Sequence, residues 1–293
     1  MNRVAKSTSS LRLLAVWVGL ITFGACAQAS SAPEPIEPLS LLASGQKGLS
    51  LDERRDAMVK SIREDVKAAD PDADTPALEK ALSAVGSLPR ERFVARSGRG
   101  AAYVDLPQRI GYGQTISDPY VVSIMTAALE LPNGANVLDV GTGSGYQAAV
   151  LAKIARHVSS VEIVRPLAVS AANRLRRLGF KNVDVRNGDG FLGWPAHAPF
   201  DGIVVAAGAT AVPLPLLDQL KPGGRLVMPI GATDTSTQLL RFTKRANGAI
   251  DRCSLGGAMF VPLTGGLVKP FARFGLPDRS IPLCFSKAIV SIF

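Results

Sequence analysis

A glycine-rich turn carries the strongest chemical signal in the sequence. Gly141, Gly143 and Gly145 follow a short apolar run at 136–140 and precede a helical pattern. Glycines between a strand and a helix allow the backbone to turn sharply and to approach a ligand closely. Asp139 stands two residues before the first glycine, where its carboxylate could bind a positively charged amino group directly or through water. The turn therefore predicts a nucleotide site.

Two further acidic residues follow at the ends of the next two apolar runs. Glu162 lies 23 residues after Asp139, where a carboxylate can accept both ribose hydroxyls of an adenosine. Asp189 lies between two glycines and could accept a hydrogen bond from the adenine amino group. Alone, Asp189 indicates only a turn, since Asn-Gly-Asp-Gly is favourable turn chemistry. With all three acids, the G-x-G-x-G spacing favours a methionine-bearing nucleoside over a dinucleotide with a pyrophosphate.

A second polar segment precedes the glycine turn. Gln114, Thr115 and Ser117 lie in a loop that leads into a helix with Asp118 as its expected N-cap and Pro119 in its first turn. The helix has one apolar face, so it is expected to be buried. By itself this pattern indicates only a capped helix, but it also places three polar side chains on a rigidly held loop.

The elements that must position these residues alternate between strand and helix from 136 to 231. This alternation predicts an α/β fold with a parallel, doubly wound sheet. A terminal pair of strands is expected after it, and amino-terminal helices are expected from Leu51 to about Val85. We divide the chain into a signal-like segment at 1–27, a linker at 28–50, a catalytic domain at 51–265 and a carboxyl-terminal extension at 266–293 whose role we could not assign.

Composition restricts the classes of function that remain. The chain has 293 residues with 47% hydrophobic residues and a formal charge of +9, which excludes a disordered protein. No run of basic residues alternates with aromatic ones, so we expect no nucleic-acid partner. Three cysteines and two histidines, His157 and His197, show no metal-ligand spacing, so we expect no metal site.

The first residues have the layout of a secretory signal. Basic residues precede an apolar run from Leu13 to Phe23, and small residues around Ala27 follow it. The run is too short for a comfortable membrane span. A lipoprotein signal using Cys26 is a weaker interpretation, because Phe23 replaces the usual aliphatic residue. A true start near Met58 is a further alternative, in which the signal does not belong to the protein.

Residues 88–265 resemble the protein-L-isoaspartate O-methyltransferases. The resemblance rests on "PRERFV", "IGYGQTIS", "VLDVGTGSGYQAAVLA", "GDG", "FDGIVV", "QLKPGGRLVMPIG" and "FVPLTG", which occur in that order. It implies a class I S-adenosylmethionine-dependent methyltransferase fold, with S-adenosylmethionine as the donor and isoaspartyl-containing proteins and peptides as partners. It also implies that Thr115 and Ser117 line the acceptor site, with Ser117 contacting the substrate carboxylate. Phe260, Val261 and Leu263 would close over the substrate.

Several features depart from that family or leave alternatives open. Many relatives place an arginine where this chain has Met259, which bears on recognition of the substrate carboxylate. A methyltransferase of a small molecule or nucleic acid, and an exported non-catalytic protein with the same fold, are alternatives. Methylation of base amino groups typically uses an Asn/Asp-Pro-Pro-aromatic turn, whereas this chain has "VAAGAT". We expect a monomer in the cytosol, where the donor is made; the alternative is the periplasm, where Cys253 and Cys284 could pair.

Overall fold

The computed structural model describes residue 46 and residues 48–232, 236–266 and 281–291. The signal-like segment 1–27 and nearly all of the linker 28–50 lie outside these residues. Within the described part of the chain, no helix has the length and apolar character that a membrane span requires.

Two amino-terminal helices cover one side of the molecule, as predicted. Helix α1 is Leu51–Ala69, and Ser50 caps it through a capping box with Glu53. Helix α2 is Pro76–Gly86, with the Thr75 hydroxyl accepting a hydrogen bond from the backbone N–H of Leu78 at 3.2 Å. Both helices begin where a side chain satisfies free N–H groups of the first turn.

The central sheet contains most of the remaining chain. A hairpin of β1 (Gln108–Gly111) and β2 (Gln114–Ile116) precedes it. The strands of the sheet are β3 (Asn136–Val140), β4 (His157–Glu162), β5 (Val183–Asn187), β6 (Phe200–Val205), β7 (Leu220–Ala232), β8 (Ser236–Lys244), β9 (Ile250–Ala258) and β10 (Val290–Ser291). Their spatial order is β10-β9-β8-β7-β6-β3-β4-β5.

Strand direction divides this sheet into two parts. Strands β3 to β7 are parallel, whereas β8 pairs antiparallel with both β7 and β9. The helices between strands are α3 (Pro119–Ala128), α4 (Tyr146–Ala152), α5 (Arg165–Arg177) and α6 (Leu214–Asp218). The predicted parallel, doubly wound sheet and the terminal strand pair are therefore confirmed.

Both faces of the sheet are covered by apolar side chains. In β3, Val137 belongs to the hydrophobic cluster that includes α1 to α4, whereas Leu138 and Val140 belong to a second cluster that includes α6. Successive residues of a strand point to opposite faces, so a strand covered on both sides must be apolar throughout. This explains why the strand before the glycine turn is apolar apart from Asn136 at its start and Asp139.

The described part of the carboxyl-terminal extension, 281–291, joins the same sheet. Strand β10 pairs parallel with β9, and Val290 lies opposite Gly256. A disulfide joins Cys253 to Cys284. The buried carboxylate of Asp70 accepts hydrogen bonds from the Ser286 hydroxyl at 2.8 and 2.9 Å. The extension thus covers the edge of β9 and ties it to the end of α1.

Candidate active site

A cleft lies at the carboxyl ends of the parallel strands β3, β4 and β6. In an open α/β sheet, ligands bind at this edge where neighbouring strands connect in opposite directions. Strand β3 pairs with β4 on one side and with β6 on the other, so it marks that point. The residues that line the cleft include Gln114, Thr115, Ser117, Gly141, Thr142, Gly143, Ser144, Glu162, Gly190, Ala206, Val261, Pro262, Leu263 and Thr264.

The glycine turn forms one wall of the cleft, and its three glycines have different roles. Gly141 and Gly143 have φ values of 94° and 51° and both line the cleft. Gly145 has a φ of 89° but lies behind the cleft lining, where a Cβ atom would approach the Leu175 side chain to 3.3 Å. Gly145 therefore allows α4 to pack closely against α5, while the other two leave space for a ligand.

Glu162 holds the turn and faces the cleft at the same time. Its side chain is 5% exposed. One carboxylate oxygen accepts a hydrogen bond from the Gly143 N–H at 2.7 Å, and the other accepts one from the Val164 N–H at 2.8 Å. A carboxylate offers about four acceptor positions, so both oxygens retain capacity for the two hydroxyls of a ribose.

Asp139 lies behind the glycine turn, is not part of the cleft lining, and is completely buried. Its Oδ2 accepts a hydrogen bond from the Ser160 hydroxyl at 2.7 Å, and Ser160 in turn bonds Thr142 at 2.5 Å. Its Oδ1 has no hydrogen-bond partner within the described residues. Burial, with a smaller contribution from the nearby charge of Glu162, raises the pKa of Asp139 to about 7, although the Ser160 hydrogen bond opposes this rise. A buried carboxylate oxygen without a partner fits a ligand that brings a cation.

Asp189 has a different environment from the one expected for an adenine contact. Its two carboxylate oxygens accept hydrogen bonds from the backbone N–H groups of Phe191 at 2.9 Å and Gly266 at 2.8 Å. Gly190, the next residue, lines the cleft, but Asp189 itself does not. In the structure Asp189 anchors the loop after β9, and its role towards adenine stays a prediction.

Strand β2 and the short link from it to α3 form the opposite wall. Gln114, Thr115 and Ser117 line the cleft there. The prediction that all three share a loop is wrong, because Gln114 and Thr115 pair with β1 as part of β2 and only Ser117 lies in the link. Asp118 caps α3, and its carboxylate accepts a hydrogen bond from the Val121 N–H at 2.7 Å. This wall is therefore held by the start of a buried helix rather than by solvent-exposed chain.

Arg90, which the sequence analysis did not single out, holds this wall from behind. It is fully buried, with Nε donating to the Ala102 carbonyl at 2.8 Å and Nη2 donating to the Ser117 carbonyl at 2.9 Å. Its guanidinium lies 4.7 Å from the centre of the Tyr146 ring. Burial lowers the pKa of Arg90, and the nearby Tyr146 and Asp118 oppose that effect. A buried cation thus fixes the backbone of Ser117 relative to α4.

The segment after β9 covers one side of the cleft. Val261 and Leu263 line it, and both bond the backbone of Gly208 at 2.8 and 2.7 Å respectively. Phe260 is not part of the lining and packs instead against the core. Met259 is 63% exposed. The structure therefore places two of the three predicted covering residues at the cleft.

Some lining residues were not identified from the sequence. Thr142 and Ser144 occupy the variable positions of the G-x-G-x-G turn, so the motif itself contained the signal that could have identified them. Ala206 follows β6, and Thr264 lies in the FVPLTG segment after β9, next to the predicted Leu263. Their position at the cleft follows from strand order alone.

Together, the sheet order and the cleft define a class I S-adenosylmethionine-dependent methyltransferase. A family model described as "Protein-L-isoaspartate(D-aspartate) O-methyltransferase (PCMT)" matches residues 72–268, and the chain belongs to this family. The predicted resemblance is thereby confirmed. The match ends before the described residues 281–291, so Cys284 and strand β10 lie beyond the part that the family model covers.

Individual relatives agree with this assignment. Protein-L-isoaspartate O-methyltransferase 2 of Syntrophobacter fumaroxidans is 47% identical over 232 residues, covering 78% of this chain and 94% of the relative. The enzyme of the same name from Pelobacter propionicus is 52% identical over 184 residues, covering 63% of this chain and 82% of the relative. A solved structure of a putative protein-L-isoaspartate O-methyltransferase from Plasmodium falciparum with S-adenosyl-L-homocysteine has a TM-score of 0.59 and 25% identity. It covers 71% of this chain and 98% of that one.

Proposed function

We propose that this enzyme transfers a methyl group from S-adenosylmethionine to the free carboxyl of L-isoaspartyl residues in damaged proteins, which initiates their repair. The proposal rests on one cleft that has two walls. The glycine turn with Glu162 forms the donor wall, and strand β2 with Ser117 forms the acceptor wall. Membership of the family supplies the identity of donor and acceptor.

The reaction makes few chemical demands on the protein. When bound, S-adenosylmethionine supplies an electrophilic methyl group on a sulfonium centre. A carboxyl group has an ordinary pKa of about 4, so the acceptor is already an anion at neutral pH and needs no general base. One O–C bond forms while one S–C bond breaks, and no proton is transferred. Alignment of the reacting groups and exclusion of water are the remaining tasks, worth up to ~7–11 kcal/mol in favourable cases.

The residues of the acceptor wall suit this task. We assign Ser117 as a donor that orients the substrate carboxylate, with Thr115 and Gln114 nearby on the preceding strand β2. The hydrogen bond from Arg90 to the Ser117 carbonyl supports this assignment, because it fixes the loop without occupying the hydroxyl. Val261 and Leu263 are apolar and line the same cleft, so they would exclude water from the reacting groups.

The residues of the donor wall suit the cofactor. We assign Glu162 to the ribose hydroxyls and Gly141 and Gly143 to close contact with the donor. Asp139 would stabilise the amino group of the methionine portion from beneath the turn, which its partnerless Oδ1 supports. Asp189 is assigned to adenine only through the family resemblance.

The substrate is tested with two synthetic peptides that differ only in having an isoaspartyl or a normal aspartyl residue. The full-length chain is incubated with labelled S-adenosylmethionine, and base-labile methyl ester is counted. Ester on the isoaspartyl peptide alone supports the proposal. No transfer despite measurable donor binding would indicate another acceptor or a protein that has lost the activity.

We also propose that the enzyme acts as a monomer on proteins, without nucleic acid, in the cytosol. Supply of the donor supports the cytosol, whereas the Cys253–Cys284 disulfide supports an oxidising compartment reached through residues 1–27. Immunodetection of the enzyme in fractionated cells decides between the two. Enzyme confined to the cytosolic fraction supports our proposal, and mature enzyme in the periplasmic fraction would overturn it.

A further inference from the structure

A second polar cluster lies at the opposite edge of the same strands. His157 is the first residue of β4, Asp184 lies on the neighbouring strand β5, and His197 ends a short 3-10 helix before β6. Strand β4 has 6 residues, so at roughly 3.3 Å per residue its two ends lie about 16 Å apart. The cluster is therefore separate from the cleft that contains Glu162.

Folding brings together two histidines that are far apart in the sequence. One ligand atom of each of His157, Asp184 and His197 lies within 4.8 Å of the other two. Nε2 of His157 is 3.2 Å from Oδ2 of Asp184. Because the two histidines are far apart in the sequence, we expected no metal site, but the fold brings their side chains together.

Neighbouring residues hold the His197 ring in place. Its Nδ1 lies 2.7 Å from the hydroxyl of Ser159, which is completely buried. The ring stacks on Trp194 with centroids 4.1 Å apart and an interplanar angle of 13°. Histidines that bind metals commonly donate one ring N–H to a fixed acceptor, which orients the ring and leaves the other nitrogen as the ligand. Ser159 is placed to be that acceptor, which leaves Nε2 of His197 free.

We propose that His157, Asp184 and His197 bind one divalent transition-metal ion, with Zn²⁺ as the probe of choice. Two imidazoles and one carboxylate are a ligand set that zinc, copper and nickel accept, whereas magnesium and calcium require more oxygen atoms. Zinc bonds to nitrogen and oxygen measure about 2.0–2.2 Å, so the three ligand atoms must close in around the ion. Asp184 can make that movement because its side chain is 58% exposed.

The surroundings of the cluster allow an ion to enter. Asn136 and Arg156 line the same shallow cleft as the three ligands. The positive charge of Arg156 would repel a bound cation, but Arg156 is exposed, so solvent screens this charge. The bound ion would join the starts of β4 and β5 to the segment that enters β6, and this link would raise the melting temperature of the protein.

The composition of the chain makes the test specific. The sequence contains only two histidines, both in the cluster, so an untagged full-length chain has no other imidazole. After treatment with a chelator, binding is measured by competition between the protein and a chromophoric zinc indicator. Co²⁺ provides a second readout, because its visible absorption reports the coordination of the ion. Melting curves with and without Zn²⁺ provide a third.

The variants are His157→Gln and Asp184→Asn, with Asp251→Asn as a matched surface-carboxylate control and Cys26→Ala as a control for thiol binding. Asp184→Asn keeps the proposal testable if a histidine variant does not fold. We expect one equivalent of Zn²⁺, weakened at least ~10-fold by either cluster substitution and unchanged in both controls. Absence of stoichiometric binding, equal binding by the cluster variants, or loss in Cys26→Ala alone would overturn the proposal.

Discussion

The two edges of the parallel strands present polar groups in different ways. At the carboxyl edge, Glu162 is buried and its carboxylate accepts hydrogen bonds from backbone N–H groups, one of them from Gly143 at 2.7 Å. At the amino edge, the polar groups are side chains that solvent reaches, and Asp184 is 58% exposed. Backbone groups cannot move far, so the first edge suits a ligand of fixed shape. Exposed side chains can change rotamer, so the amino edge suits a small ion that is coordinated only after several side chains move towards it.

Glu162→Ala should raise the Kd for S-adenosylmethionine by about 100-fold or more, because it removes both a ribose acceptor and the partner of two partly buried backbone N–H groups. Calorimetric titration of the donor measures this. Glu162→Gln keeps one acceptor oxygen and should lose less affinity, and an unchanged Kd in the alanine variant would contradict the assignment.

Ser117→Ala should lower kcat/KM for an isoaspartyl peptide by roughly 10- to 100-fold while the Kd for the donor stays unchanged. The reason is that Ser117 is assigned to the acceptor wall alone. Steady-state kinetics and donor titration on the same preparation separate the two effects. The exposed Ser87→Ala is a matched control, and equal losses of donor binding and turnover in the Ser117 variant would refute its role.

Donor affinity should increase with pH between about pH 5.5 and 7.5. Burial raises the pKa of Asp139 to about 7, so the carboxylate is largely protonated in the free enzyme at the lower pH. A cationic ligand favours the ionised form, so binding releases a proton and the Kd falls, by roughly 10-fold over this range. The methionine amino group, with an ordinary pKa of about 7.7–8.0, stays mainly protonated there.

The matched variant for this pH dependence is Asp139→Asn, which cannot ionise. Its donor affinity should be weaker at pH 7.5 and nearly independent of pH over the same range. Titrations in buffers with different ionisation enthalpies count the released protons. If wild type and variant show parallel pH profiles, Asp139 does not interact with the donor.

Met259 is an exposed residue two positions before Val261, which lines the cleft. Met259→Arg should lower the KM for an isoaspartyl peptide by about 3-fold, since an exposed ion pair contributes only ~0.2–1 kcal/mol. Met259→Gln is the uncharged control, and the gain should disappear at high salt. An unchanged KM at low salt would show that an arginine at position 259 lies too far from the substrate carboxylate to bind it.

The sequence was informative where the chemistry lies in contiguous segments. The glycine turn, Glu162 and the Ser117 loop could each be placed because a strand or a capped helix adjoins them. Arg90 and the His157 cluster could not, because their partners are distant in the sequence and only strand order and packing bring them together. Asp189 shows a further limit, since an acid between two glycines can bind a ligand or anchor a loop, and the sequence does not distinguish these roles.

Methyl transfer to isoaspartyl and aspartyl peptides can be measured side by side for three full-length proteins. These are the wild type, Glu162→Ala and Asp184→Asn. We predict ester on the isoaspartyl peptide only, equal rates for the wild type and Asp184→Asn, and loss of transfer at limiting donor in Glu162→Ala. Esterification of both peptides would contradict the repair function, and equal loss in both variants would contradict the separation of the two edges.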